Sequence, residues 1–136
     1  MPADDARAED VHAWLQKVQF DLKACAHALS SEDQGLWPDA VFHAQQAAEK
    51  SLKAFLAWHD RPFRKTHSIE ELGSACLQID PSLAGVVDRA VPLTEYAWKF
   101  RYPGEPEVLS REEADQAFRS ASELHKAIAE RIPSTV

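Results

Sequence analysis

Apolar residues return at spacings of three and four through three long stretches of this sequence, a rhythm that places one side of an amphipathic helix against a core. Between about Glu9 and Leu29 the stripe is Val11, Trp14, Leu15, Val18, Leu22, Cys25, Ala26 and Leu29. A second runs from Pro38, a residue tolerated in a first helical turn, to about Trp58 through Val41, Ala44, Ala48, Leu52, Phe55 and Leu56. The third is Ala114, Ala117, Phe118, Ala121, Leu124, Ile128 and Ile132. No hairpin signal interrupts them.

The breaks between the stripes are equally legible. Ser30 to Trp37, with Gly35 inside, reads as a stop and a loop, and Asp60 to His67, with Pro62, as another. Ser68-Ile69-Glu70-Glu71 has capping-box spacing and should open a short helix ending near Gln78. Asp80-Pro81 looks like an N-cap with proline at the first helical position, starting a helix toward Phe100 that Pro92 must kink or split. Arg101 to Pro106 holds two prolines and a glycine, so it is a turn or loop, and Ser110 with Glu113 caps the last helix. Three long helices and a broken one bury best as an all-α, up-and-down antiparallel four-helix bundle with the Ser68 helix as an extra element, one domain over residues 1–136.

Several functions are excluded by what is missing. No apolar stretch approaches the roughly 20 residues of a membrane span. Met1 to Asp10 carries four carboxylates and one Arg, the reverse of a secretory signal, and the two cysteines, Cys25 and Cys76, form no paired motif. A reducing cytoplasm is the expected location. Four isolated glycines supply neither a P-loop nor a dinucleotide fingerprint, so no cofactor is expected. Six histidines show no metal-ligand spacing, the stripes contain no inward Glu-x-x-His pair for a di-iron centre, and Cys25 falls on an apolar stripe rather than at a reactive site.

A net charge of -7 argues against polyanion binding by the whole surface, yet one region is basic. Lys50 to Lys65 holds five basic residues against Asp60 alone, and His43, Gln46, Lys50 and Lys53 share the polar side of the second helix. The residues left for binding are Lys50, Lys53, Lys65, Thr66, His67, Arg101 and Tyr102. Their chemistry suits phosphate and a stacked base: lysines as point charges, Arg101 as a planar fork, Tyr102 as a ring, Thr66 and His67 as hydrogen-bond donors.

Three strings occur in order: Ala44-Gln45-Gln46-Ala47-Ala48-Glu49-Lys50-Ser51-Leu52-Lys53-Ala54-Phe55-Leu56, then Lys65-Thr66-His67-Ser68-Ile69, then Phe100-Arg101-Tyr102-Pro103. Together with the opening amphipathic helix and a last helix beginning Ser-x-Glu-Glu-Ala, they resemble the HEPN domain family over nearly the whole chain. The resemblance implies a helical bundle that pairs into a homodimer, often encoded beside a minimal nucleotidyltransferase, the two acting as toxin and antitoxin. Many members are metal-independent ribonucleases with an Arg followed, after four to six residues, by a His. Here no His follows Arg101 at that distance. Arg61 to His67 and Arg119 to His125 fit the bare spacing, but Arg119 and His125 do not share a helical face.

The expected function is therefore a non-catalytic nucleotide- or RNA-binding module working as a homodimer with a nucleotidyltransferase partner. The alternative is an RNA endonuclease in which Arg101 and His67 converge on one phosphate. A third reading is a structural adaptor that uses a tryptophan as an interface anchor.

Overall fold

The computed structural model describes residues 2–103 and 108–133, and every regular element in them is helical. The expected turn residues Gly104 to Pro106 lie outside the described residues. Helix α1 spans Pro2–Ser30, α2 Trp37–Trp58, α3 Ile69–Ile79, α4 Ala84–Ala90 and α5 Arg111–Glu130. Helices α1, α2 and α5 are the three long bundle members, and their stripes form the core: Val11, Val18, Cys25, Leu52, Phe55, Leu124 and Ile128 are all buried.

Helix α1 begins at Pro2, well before the expected Glu9. Proline suits a first turn, alanines at 3, 6 and 8 favour helix, and the Arg7 guanidinium lies 5.1 Å from the centre of the Trp58 ring, fastening this extension to the end of α2. One stripe residue is corrected. Ala26 is exposed, because it sits about 100° beyond Cys25 around the helix, whereas Asp21, three residues after Val18, is buried.

Helix α2 ends in a Schellman turn. Asp60 takes the left-handed conformation (φ 54°), its N–H donates to Ala57 O and the Arg61 N–H to Leu56 O, so the last carbonyls stay paired while the chain reverses. At α3, Ser68 Oγ accepts from the Glu71 N–H at 3.1 Å, but the reciprocal half of the capping box is absent. Thr66 Oγ1 accepts the Ser68 N–H instead, and Glu71 is held by Arg64. At α5 both halves of the box are present.

The segment after Asp80 is where Pro92 has its effect. Rather than one helix to Phe100, the chain makes a 3₁₀ turn over Pro81–Leu83, the short α4, and a 3₁₀ stretch over Val91–Ala97. Proline cannot donate in an α ladder, and tightening to i→i+3 bonds accommodates it. Arg131 clasps this segment to the end of α5, donating to Asp80 Oδ2 at 2.8 Å and Ser82 Oγ at 2.9 Å.

Helices α3 and α4 meet closely at Gly73, where an added Cβ would stand 2.5 Å from Val87 Cγ1. Val87 is buried and β-branched, so it has little room to yield. Gly73→Ala is expected to destabilise by about 1–2 kcal/mol despite alanine's better helix propensity, as a lower urea midpoint would show. Among the described residues no helix is long and apolar enough to cross a membrane.

Candidate anion-binding site

The polar side of α2 faces not open solvent but α1 and the loop before α3, where two buried carboxylates wait. Asp21 of α1 accepts from Lys50 Nζ through Oδ2 at 2.6 Å and pairs with His43 Nδ1 through Oδ1 at 2.8 Å. Glu49 of α2 accepts from Lys53 Nζ through Oε1 at 2.7 Å, and through Oε2 from Gln45 Nε2 at 2.6 Å and His67 Nδ1 at 3.1 Å. Gln46 donates to Gln45 Oε1 at 2.7 Å, which completes the Gln45 amide. Each carboxylate therefore holds one lysine and one imidazole.

The geometry follows from helix periodicity. Residues 43 and 50 are seven apart and share a face, with Lys50 leaning back toward the start of α2 to meet Asp21 from the other side. Glu49 is flanked by Gln45 and Lys53, one turn away in each direction. Burial pushes the Glu49 carboxyl up, but the bonds from Lys53, His67 and Gln45, with the Lys53 charge, outweigh it and leave Glu49 below the ordinary range. Because a carboxylate only accepts, both imidazoles donate from Nδ1 and turn Nε2 outward.

Lys50 and Lys53 are thus offset by acid neighbours rather than presented as free charges. Lys53 also lies over the Trp14 and Phe63 rings, at 5.5 and 5.9 Å from their centres. Lys65 is exposed and makes no hydrogen bond or ion pair among the described residues. Thr66 Oγ1 accepts from the Ser68 amide, which leaves its O–H able to donate, and His67 is anchored by Glu49 with most of its ring open to solvent.

Arg101 is different. Its guanidinium lies over the Phe42 ring, 3.9 Å from the centre, and no hydrogen bond or ion pair to the described residues uses its donors. Phe42 in turn meets the His43 ring edge-on, with centres 5.7 Å apart. Glu95, a conceivable partner for Arg101, is paired with Lys99 instead. Phe100 delivers the arginine to this position: its φ of 68° is costly for an aromatic residue, and its ring stacks on Tyr96. Tyr102 follows with 67% of its surface exposed.

The seven residues selected from sequence therefore fall into two groups. Lys50 and Arg101 gather around Asp21 and Phe42, with Tyr102 next in the chain, while Lys53 and His67 gather around Glu49, with Lys65 and Thr66 preceding His67 in the chain. Arg101 rests on residue 42 and His67 on residue 49, anchors about 10 Å apart along α2. Six residues of these clusters lay outside that selection: Asp21, Phe42, His43, Gln45, Gln46 and Glu49. Asp21 was detectable as a carboxylate three residues after a core valine, and Glu49 as one between buried alanine and leucine positions; Phe42 carried no such signal.

The other reactive groups are quiet. Burial, assisted at Cys25 by the Asp115 charge, pushes the thiols of Cys25 and Cys76 up to about 12. His125, half of one bare Arg–His spacing, has its pKa lowered by burial, and Arg119 donates to Gln116. Among the described residues no group of three or more His, Cys, Asp or Glu side chains could hold a metal ion.

The fold has solved counterparts. An archaeal HEPN homologue superposes with a TM-score of 0.71 at 26% identity, covering 90% of this chain and 98% of that one. A Thermus thermophilus protein superposes with a TM-score of 0.68 at 23% identity and the same coverage, which shows a shared fold. No curated protein sequence matches the chain. The HEPN domain family model matches residues 11–132, from the first core valine of α1 to the buried isoleucine just past α5, and the chain belongs to that family.

Proposed function

We propose that this protein is a non-catalytic HEPN module that binds a nucleotide or a single-stranded RNA segment, acting in the cytoplasm as a homodimer with a nucleotidyltransferase partner in a toxin–antitoxin-like pair. The observation that carries the binding reading is Arg101, a guanidinium held over the Phe42 ring with no hydrogen bond or ion pair to the described residues. A pre-positioned, weakly hydrated fork of this kind suits bidentate contact with phosphate. Tyr102 adds an exposed ring for a base, and Lys65, in the loop before α3, a charge with no hydrogen bond or ion pair among the described residues. Lys50, Lys53 and His67 complete the binding set as a frame held by Asp21 and Glu49, and Thr66 adds a hydroxyl whose O–H can still donate.

The catalytic alternative has less support, because one phosphodiester must be reached by both acid–base partners, and Arg101 and His67 are anchored about two helical turns apart. A fluorescein-labelled 12-nucleotide RNA titrated by anisotropy tests the binding reading. Wild type should bind with an affinity that falls as salt rises, and Arg101→Ala should weaken binding about tenfold without moving the urea midpoint. RNA recovered intact in the absence of metal agrees with the module; cleavage lost in Arg101→Ala or His67→Ala would establish the nuclease. Absence of binding at low salt would overturn the reading. Light scattering of the eluted protein tests the dimer.

A further inference from the structure

We propose that His43, Arg101 and Lys50 form a subsite for a phosphomonoester, the terminal phosphate of an RNA end or of a free nucleotide. This rests on the nucleotide-binding reading above and specifies which phosphate the site takes. His43 is the element that reading did not use.

Asp21 fixes the imidazole. It is 3% exposed and accepts from His43 Nδ1, so the proton on that nitrogen is committed and the ring cannot turn without leaving a buried carboxylate short of a donor. Nε2 makes no hydrogen bond among the described residues, and the ring is part-exposed. Phe42 is a common wall, with the Arg101 guanidinium on its face and the His43 ring against it at an interplanar angle of 72°. Lys50 Nζ spends one donor on Asp21 and retains two.

The charge count favours a monoester over a diester. Asp21 and Lys50 cancel, Arg101 supplies one fixed positive charge, and His43, its Nδ1 proton committed to Asp21, presents Nε2 as an acceptor. A diester link carries one negative charge, which Arg101 alone meets. A monoester carries about -1.5 to -2 at neutral pH and three acceptor oxygens. At that charge part of the population is a monoanion whose P–O–H, absent from a diester, meets the Nε2 lone pair, while the other oxygens accept from the Arg101 fork and Lys50 Nζ.

The test is calorimetric titration with four probes: one hexanucleotide RNA bearing a 5′-phosphate, the same RNA ending in a 5′-hydroxyl, adenosine monophosphate, and adenosine. Wild type should prefer the phosphorylated RNA about tenfold, the effect of one charge-assisted hydrogen bond. His43→Gln, which retains a donor for Asp21, should erase that preference while binding the 5′-hydroxyl RNA as wild type does. Arg101→Ala, at an exposed position, provides a second variant that does not depend on the buried network and should also erase it. A preference shown by adenosine monophosphate over adenosine assigns the source to free nucleotides, and one confined to the RNA pair assigns it to RNA ends. Equal affinity for the two RNAs, or a preference that survives in both variants, overturns the subsite and leaves the RNA-binding reading standing. No binding of any probe overturns both.

Discussion

Replacing Glu49 with alanine is expected to cost about 3–5 kcal/mol, the range for breaking a buried ion pair from one side. Lys53 keeps only 12% of its side-chain surface, so its ammonium would be left among Trp14, Phe63 and the helix backbone without a counter-charge. The ring faces offset part of that loss, since a partly desolvated cation over an aromatic gains on the order of 1 kcal/mol, well short of the deficit. Glu49→Gln should recover little, because its amide turns a donor toward groups that are already donors. Glu49→Leu combined with Lys53→Met should recover part of the stability, since removing both charges strands no ion and leaves only the buried Gln45 Nε2 short of its acceptor. Urea unfolding of the single and double variants reads this directly; full additivity would mean that the pair does not interact in the folded state.

The pH dependence has a definite sign. The Glu49 pKa is lower in the folded protein than in the unfolded chain, so its contribution is fully present above the ordinary carboxylate range. It is lost progressively as pH falls from that range through the lowered folded value. Wild type should therefore lose stability on acidification through this interval more steeply than Glu49→Leu/Lys53→Met, in unfolding curves taken at matched ionic strength.

Asp21→Ala is expected to cost less, about 2 kcal/mol, although Asp21 is as deeply buried as Glu49. Its partners Lys50 and His43 retain 21% and 29% of their side-chain surface and can recover water when the carboxylate is gone. The loss is then mainly two charge-assisted hydrogen bonds and a small cavity, without a stranded ion. Asp21→Asn separates the terms. The amide fills the space and retains one acceptor, so it should recover stability while leaving His43 free to change tautomer. Urea midpoints that rank wild type, Asp21→Asn and Asp21→Ala in descending order are the expected result. An Asp21→Ala midpoint matching wild type would show that the carboxylate adds nothing to stability.

The sequence revealed the bundle far better than the site, and particular residues show why. Helix α2 was legible from Val41 to Leu56 because packing at 3.6 residues per turn imposes its period on the chain. Ser110 and Glu113 were legible because a cap is a local event within four residues. The same locality explains the partial box at Ser68, where Arg64 competes for Glu71 from seven residues away. Charge was misleading for a related reason. Lys50 and Lys53 look free in one dimension, and Lys50 is answered by Asp21, 29 residues earlier. Arg101 stacks on a phenylalanine 59 positions back, a pairing set by the Phe100 turn and by nothing local to the arginine.

The broken segment after Asp80 has a mechanical consequence. Bonds of the i→i+3 kind are poorer than those of an α-helix, so Val91–Ala97 is a softer support than the two long helices beside it. Arg101 hangs from the far end of that compliant stretch, while Phe42 and His43 stand on the stiff one. The binding face is thus a jaw with one fixed and one yielding side. An occupant that bridged the two would act as a splint, slowing amide exchange in residues 91–101 while leaving α2 unchanged.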